Sequence, residues 1–214
     1  MSKISVLGGS GFIGSHLVSL LDQNSVIILD KQKPSNDINY DNCDITNYEI
    51  LNLKLASSKS IVLLAAEHRD DVTPTSLYYN TNVNGTKNVI KSMIKNDINH
   101  IIFTSTVAVY GLEVNNPSET ANLIPFNHYG KSKLEAEKVL IDWYKQQPDN
   151  RILDIVRPTV VFGEGNRGNV FNLVNQISSG RFAMVGNGEN YKSMAYVGNL
   201  VAFIKYLLEI ISKT

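Results

Sequence analysis

The chain has almost no cysteine, one tryptophan and no imbalance of charge, and each shortage narrows what it can be. Cys43 is the single cysteine in 214 residues, so no intrachain disulfide can form, which suits a reducing compartment. Lysine plus arginine total 20, as do aspartate plus glutamate, giving a formal net charge of zero. Nucleic acid or an acidic lipid surface selects a basic partner, and this composition supports neither. No apolar run is long enough to span a bilayer, and the opening MSKISVLGG lacks the apolar stretch and cleavage site of a signal peptide. The expectation is a soluble cytoplasmic protein with no nucleic-acid and no membrane partner. His16, His68, His100 and His128 show no metal-site spacing, so no metal is expected.

What is present is a regular alternation of short apolar runs with segments of helical period, the pattern of an α/β protein with a parallel sheet. Residues 4–7 predict a strand, followed by a glycine-rich turn and a helix with Ile13, Leu17, Leu20 and Leu21 on one face. A second strand over 26–29 closes on Asp30, a polar loop holds Pro34, and residues 43–45 predict a third strand. Residues 61–65 are continuously apolar, which predicts a strand covered on both faces. A long helix is expected over 76–95, a strand over 100–104, a helix over 129–146 and a strand over 152–156. Beyond a Gly/Asn-rich loop, a helix is expected over 170–179 and an apolar helix from 197. No repeat, low-complexity tract or linker divides the chain, so residues 1–214 are expected to form one unit.

The segment GGSGFIG places Gly8, Gly11 and Gly14 at intervals of three between a predicted strand and a predicted helix. A first glycine permits a tight turn, a second lets backbone approach a pyrophosphate, and a third lets helix pack closely on strand. The helix opening at Phe12 and Ile13 offers free N–H groups to phosphate oxygens. A plain strand-to-helix turn is the bland reading, and the strand and helix on either side weigh against it. Asp30 ends the second strand, where a carboxylate accepts hydrogen bonds from an adenosine ribose and repels a 2′-phosphate, favouring NAD over NADP. Its neighbour Lys31 counts the other way, since a cation accommodates that phosphate.

Tyr129-Gly-Lys-Ser-Lys133 opens the helix expected after the fifth strand. Residues four apart share a helical face, so the Lys133 ammonium stands near the Tyr129 phenol and stabilises its phenolate. That makes the phenol a usable acid or base near neutrality. The competing reading is a surface pair on an amphipathic helix.

These segments in this order resemble the extended short-chain dehydrogenase/reductase family, in its sugar-nucleotide epimerase/dehydratase branch. The resemblance covers nearly the whole chain and also takes in Asp44-Ile45, Leu64-Ala65-Ala66, Asn82-Val-Asn-Gly85-Thr86, Ser105-Thr106, Val109-Tyr110-Gly111 and Arg157-Pro158. It implies a Rossmann-type doubly wound parallel sheet with a small C-terminal substrate lobe, to which residues 160–196 contribute. It implies NAD, with Gly8, Gly11, Phe12, Ile13, Gly14, Asp30, Lys31, Asp44, Ile45, Leu64, Ala65, Ala66, Asn82, Thr104, Tyr129, Lys133 and Pro158 along the cofactor. Tyr129 matches the family's acid/base and Lys133 the residue that binds nicotinamide ribose. Thr106 matches the hydroxyl that bonds the reacting sugar oxygen, and His68, Asn169 and Val170 fall where relatives meet substrate.

Three departures qualify the likeness. Val107 and Ala108 occupy the positions of the acidic pair in 4,6-dehydratases and cannot move protons, so dehydration is disfavoured. Val160 stands where many relatives carry an asparagine that contacts the sugar nucleotide, and Asn166 or Asn169 is the substitute on offer. The segment Lys192-Ser-Met-Ala-Tyr-Val-Gly-Asn-Leu200 resembles an element that precedes the rest of the substrate lobe, so that lobe is expected to be incomplete.

The leading expectation is an NAD-dependent nucleotide-sugar epimerase working through a transient 4-keto sugar. The alternatives are a net reductase or dehydrogenase with the same Tyr/Lys chemistry, and a non-catalytic dinucleotide-binding protein. A homodimer is implied, with Val89, Met93, Leu140 and Trp143 as interface candidates, although helical spacing fits burial within one subunit equally well.

Overall fold

The first apolar runs are short and rich in valine and isoleucine, a composition that suits pleated, buried strands. A computed structural model describes residues 3–34, 40–69, 71–112, 116–184, 186–189 and 191–211. Within it β1 (Lys3–Leu7), β2 (Val26–Asp30), β3 (Asp41–Asn42), β4 (Ser58–Leu63), β5 (His100–Thr104) and β6 (Ile152–Val156) form one parallel sheet. The order is β3-β2-β1-β4-β5-β6. Chain order reverses between β1 and β4, and such a switch point opens a crevice beyond the carboxyl ends of the two strands.

The connections are helical: α1 (Phe12–Leu20), α2 (Tyr48–Lys54), α3 (Ser76–Tyr78), a π-helical segment (Tyr79–Asn84), α4 (Gly85–Lys95), a 3₁₀ turn (Val107–Tyr110) and α5 (His128–Gln146). Farther on come α6 (Asn169–Ser178) and α7 (Val197–Ile211). Successive strand residues point to opposite faces, and each face carries its own apolar cluster. On one, Leu51, Val89, Met93, Leu140 and Trp143 pack on Leu7, Ile61, Ile101 and Phe103. On the other, Leu17 and Val18 with Val197, Val201 and Ile204 pack on Val6, Ile28, Val62 and Ile102. The expected doubly wound α/β sheet is therefore what forms. Among the described residues no helix is long and apolar enough to cross a membrane.

Several boundaries differ from expectation. The third strand is Asp41–Asn42 rather than residues 43–45. The Cys43 amide still bonds Asp30 O at 2.9 Å, but the Asp44 carboxylate then accepts from Thr46 N and Oγ1 and turns the chain away. β4 begins earlier and stops at Leu63, because the Leu64 and Ala65 amides both turn onto Leu7 O. Leu20 is exposed and Val18 is buried in its place on the core face of α1. The helix expected over 76–95 contains the widened turn Tyr79–Asn84. Val89, Met93, Leu140 and Trp143 are buried in the subunit's own core and are thereby removed from the dimer interface proposed for them.

After β6 the chain leaves the main sheet. β7 (Val160–Phe162) and β8 (Met194–Tyr196) pair in parallel as a second, two-stranded sheet. Between them α6 has no buried residue, and Phe171, Leu173, Val174 and Ile177 are all exposed. His16 Nε2 on α1 lies 2.9 Å from the Glu164 carbonyl, tying this outlying part to α1.

Candidate active site

The glycine turn is built by close backbone approach. Gly8 has φ +86°, a left-handed conformation, and a Cβ there would stand 2.5 Å from the Ala65 amide nitrogen. A Cβ on Gly14 would stand 2.6 Å from Gly9 Cα, so any side chain would push α1 off the turn. The N-terminus of α1 has no side-chain cap and no acidic residue in its first turn. Its unpaired N–H groups and positive dipole end suit an anion. Asp30 tightens the same turn, Oδ2 accepting from Ser10 N at 3.0 Å and Oδ1 from Gln32 N at 2.9 Å. The buried Ser10 hydroxyl has no hydrogen-bond partner among the described residues. Phe12 and Ile13 are half-buried behind the turn, and Lys31 is exposed beside it.

Ile45 directs its side chain into the core rather than into the cleft, against Gly85, whose missing Cβ leaves room for it. Any cofactor contact at that pair falls to Asp44 or to the Ile45 backbone. Leu64, Ala65 and Ala66 lie half-buried at the end of β4. Thr104 ends β5 with a buried hydroxyl that lacks a partner among the described residues. Pro158 accepts from Val107 N at 3.1 Å, joining the end of β6 to the turn after β5.

That turn and the start of α5 meet closely, since a Cβ on Gly130 would stand 2.8 Å from Ala108 O. Thr106 and Tyr129 are thus carried to the same end of the sheet. Thr106 Oγ1 accepts from Ala108 N at 3.1 Å, which leaves the hydroxyl proton for donation elsewhere. Asn127 caps α5 by accepting from Gly130 N at 2.8 Å. Tyr129 is half-buried, its ring centroid 6.4 Å from that of Tyr78, whose hydroxyl donates to Arg69 O.

One turn on, Lys133 is only 2% exposed, with Nζ 3.9 Å from the centre of the Phe103 ring. Burial drives its pKa down to about 7, and Glu137 opposes that shift. Asn82, also buried, accepts from Glu67 N at 2.8 Å and donates to Glu67 O at 3.0 Å and Ser132 Oγ at 2.9 Å. Ser132 in turn donates to Tyr129 O at 2.8 Å, so Asn82 ties the loop after β4 to the first turn of α5. The wide π-helical turn is what carries Asn82.

The expected substrate contacts are more scattered. His68 is exposed, following Glu67, whose carboxylate Arg69 holds down at a pKa of about 2 through two side-chain hydrogen bonds. Asn169 and Val170 open α6 on the outlying part, next to β7 rather than the main sheet. Asn166 is engaged within its own loop, donating to Val161 O at 3.2 Å and accepting from Gly168 N at 2.5 Å. The residues that motif reading overlooked are Ser132, Phe103 and Glu137. Glu137 had a signal, since it follows Lys133 by the same four residues that separate Lys133 from Tyr129.

Comparison with known proteins agrees with this geometry. The model of the NAD dependent epimerase/dehydratase family matches residues 4–213. A protein of Escherichia coli O157:H7, N-acetyl-alpha-D-glucosaminyl-diphospho-ditrans,octacis-undecaprenol 4-epimerase, is 54% identical over 97% of this chain and 63% of its own length. A UDP-glucose 4-epimerase of Vibrio cholerae is 32% identical over 94% of this chain and 65% of its own. The chain thus spans a little under two thirds of the length of these relatives. The crystal structure of UDP-glucose 4-epimerase from Brucella ovis in complex with NAD has the same fold, with a TM-score of 0.84 at 22% identity, over 100% of this chain and 74% of that one. With a glycine turn, a buried Lys one helical turn from a Tyr, and a family match over nearly its full length, the chain belongs to the NAD dependent epimerase/dehydratase family.

Proposed function

We propose that the protein is a 4-epimerase acting on a sugar joined to its carrier through a diphosphate. The observation that carries this reading is the buried Lys133 ammonium one turn from Tyr129, at the sheet end where Thr106 also stands. NAD, the cofactor of the family, fits the chain: a Cβ on Gly8 or Gly14 would fill the turn, and the α1 N-terminus is uncapped. The Gly8–Gly14 turn would hold its pyrophosphate, Asp30 its adenosine ribose, and Lys133 its nicotinamide ribose. Asp44 and the Ile45 backbone would face adenine. Leu64, Ala65, Ala66, Asn82, Thr104 and Pro158 would complete the wall.

Bound there, NAD supplies a reversible hydride acceptor. Tyr129 removes the proton of the sugar hydroxyl, and the charge on Lys133 stabilises the phenolate that must precede this step. Thr106 donates its hydroxyl proton to the same oxygen as it becomes a carbonyl. The 4-keto sugar then presents its other face, and Tyr129 returns the proton. Val107 and Ala108 hold no acid beside Thr106, which argues against loss of water.

The carrier divides into two readings. A nucleoside diphosphate is the first, supported by the Vibrio cholerae relative's name. A polyprenyl diphosphate bearing N-acetylglucosamine is the second, favoured by the 54% identity of the Escherichia coli protein. Offering UDP-N-acetylglucosamine and undecaprenyl-diphospho-N-acetylglucosamine to the complete protein, with both 4-epimers resolved by chromatography, distinguishes them. Turnover of neither overturns the proposed activity.

Asp30→Ala is expected to weaken NAD binding more than NADP binding. The tie to Ser10 is lost in both cases, but only NAD loses a ribose 2′-hydroxyl partner. Calorimetric titration with each dinucleotide gives the ratio, and an unchanged ratio removes Asp30 from ribose recognition. Residues 160–196 are proposed as part of the substrate lobe, a reading supported by the exposed apolar side of α6. A cytoplasmic homodimer is proposed as well, pairing through the outward sides of α4 and α5, where Ile94 is exposed. Sedimentation at micromolar concentration should give twice the chain's 23.8 kDa, and monomer alone would refute it.

A further inference from the structure

We propose that Glu137 is the positioning residue for Lys133. Its buried carboxylate, gripped by Arg157, is the counter-charge that keeps the lysine ammonium seated one turn from Tyr129. The inference rests on the functional reading above and concerns residues to which that reading gives no part.

Glu137 lies on α5 four residues beyond Lys133 and is 0% exposed. A carboxylate is not left in such a place without partners, because burying an unpaired charge is prohibitively costly. Arg157 supplies two: Nε donates to Oε1 at 2.9 Å and Nη2 to Oε2 at 2.7 Å, the planar fork geometry that fixes a carboxylate in orientation as well as charge. The same guanidinium reaches further. Nη1 donates to the Tyr110 hydroxyl at 2.9 Å and to the Glu119 carbonyl at 3.4 Å. Arg157 therefore binds together the end of β6, the 3₁₀ turn that follows Thr106, and the helix bearing Tyr129 and Lys133. The 3₁₀ turn beside Thr106 and the helix bearing Tyr129 and Lys133 thus meet on one ion pair at the end of β6.

A pair of this kind is weak support for stability alone, since an apolar pair of similar volume serves a core as well or better. What an apolar pair cannot do is counter the charge on Lys133. Arg157 is committed to Glu137 and Arg151 to the Trp143 carbonyl farther along α5, and the surroundings of that ammonium contain little else with charge. β5 turns the Phe103 ring to it, and α4 directs Lys87, Lys91 and Lys95 to solvent. The π-helical segment contributes Asn82 through Ser132, α3 contributes Tyr78 against Tyr129, and the 3₁₀ turn contributes Tyr110, already bound to Arg157. Asp154 on β6 pairs with His100, at the opposite end of the sheet. Burial pulls the Lys133 pKa to about 7, and Glu137 is what resists a further fall. Without that carboxylate a smaller share of the lysine would be charged near neutral pH, weakening its support of a Tyr129 phenolate and its set of donors for a ribose.

The test follows Lys133 itself. Lysine labelled with ¹³C at Cε reports its protonation by NMR, and Lys133→Met identifies the signal. In Glu137→Gln, which keeps shape and removes charge, the Lys133 midpoint should fall by roughly one unit, about a tenfold loss of ammonium above the midpoint. NAD affinity should then drop several-fold at about pH 8 and be nearly unchanged at about pH 5, where the lysine is charged in either protein. Glu137→Asp, which keeps the charge, should restore most of both. Glu137→Gln/Arg157→Gln removes both charges together and leaves no unpaired cation, so it covers the case in which the single variant does not fold. A wild-type midpoint in either folded variant, or an NAD loss equal at both pH values, overturns the proposal. So does failure of the double variant to fold, which would make the network purely structural. Wild-type protein that shows the Lys133 titration but does not bind NAD would sink the functional reading and leave this one standing.

Discussion

Tyr129→Phe should fold, bind NAD as the parent does, and turn over substrate roughly 10²–10⁴-fold more slowly, the usual share of a positioned acid–base group. The substitution removes one oxygen from a half-buried ring. Its contact with Tyr78 and the capped first turn of α5 do not depend on that oxygen. Thr106 and Lys133 would remain in place with no group to carry the proton. Steady-state kinetics on the complete protein, with NAD affinity measured alongside, separates lost chemistry from lost binding. Near-normal turnover would refute the assignment of Tyr129 even with the fold and cofactor correct.

Lys133→Met should damage function and improve stability at once. Turnover should fall by a factor comparable to that of Tyr129→Phe, and NAD affinity should fall with it, because one ammonium is asked to serve both phenol and ribose. The stability gain comes from burial. The folded-state pKa is about 7 against an ordinary value of 10.5. Below about pH 7 folded and unfolded chains both carry the charge, and the folded protein bears the whole cost of burying it. Between about 7 and 10.5 the unfolded chain holds a proton that the folded one has shed, so the stability of the parent rises with pH across that window. Methionine abolishes both the cost and the slope, while Glu137 keeps its two bonds to Arg157. Cofactor-free Lys133→Met should therefore unfold in denaturant with a free energy on the order of a few kcal/mol above the parent's at about pH 6, and the difference should shrink by about pH 9. An equal difference at both pH values would mean that Lys133 is not buried as a charge.

Such a trade between stability and function is common where a site must hold a desolvated charge. It also bears on what the sequence could reveal. The glycine turn and the Tyr/Lys pair were legible because each demand is local. Gly8 must adopt positive φ, Gly14 must admit the backbone of Gly9, and Tyr129 and Lys133 must share a face. The sheet was legible because its strands are covered on both faces and read as unbroken apolar runs, as in Ile61 to Leu63.

What escaped reading depends on partners far along the chain. The third strand pairs through Asp41 and Asn42, polar residues with no β pattern, because β2 lies beside them. The π-helical turn leaves the residue spacing of a long helix nearly intact, and its purpose shows only once Asn82 meets Glu67 and Ser132 across the fold. Val89, Met93, Leu140 and Trp143 fit a dimer seam and a core equally well by period, and only the sheet beneath them decides for the core. β7 and β8 are three residues each and pair only with one another, more than thirty residues apart. Glu137 was visible as an i+4 neighbour, but its significance requires Arg157, which arrives twenty residues later, just past the end of β6.

In the proposed cycle hydride leaves a sugar carbon and returns to the same carbon on its opposite face. The most direct measurement uses a diphosphate-linked N-acetylglucosamine deuterated at C4, with NAD and the complete protein, and follows both label and configuration by NMR and mass spectrometry. The proposed cycle yields the 4-epimer with deuterium still at C4, no label passing to solvent, and no net accumulation of reduced cofactor. A deuterated nicotinamide that accumulates in step with an oxidised sugar, or a 4-epimer that has lost its label, would contradict it.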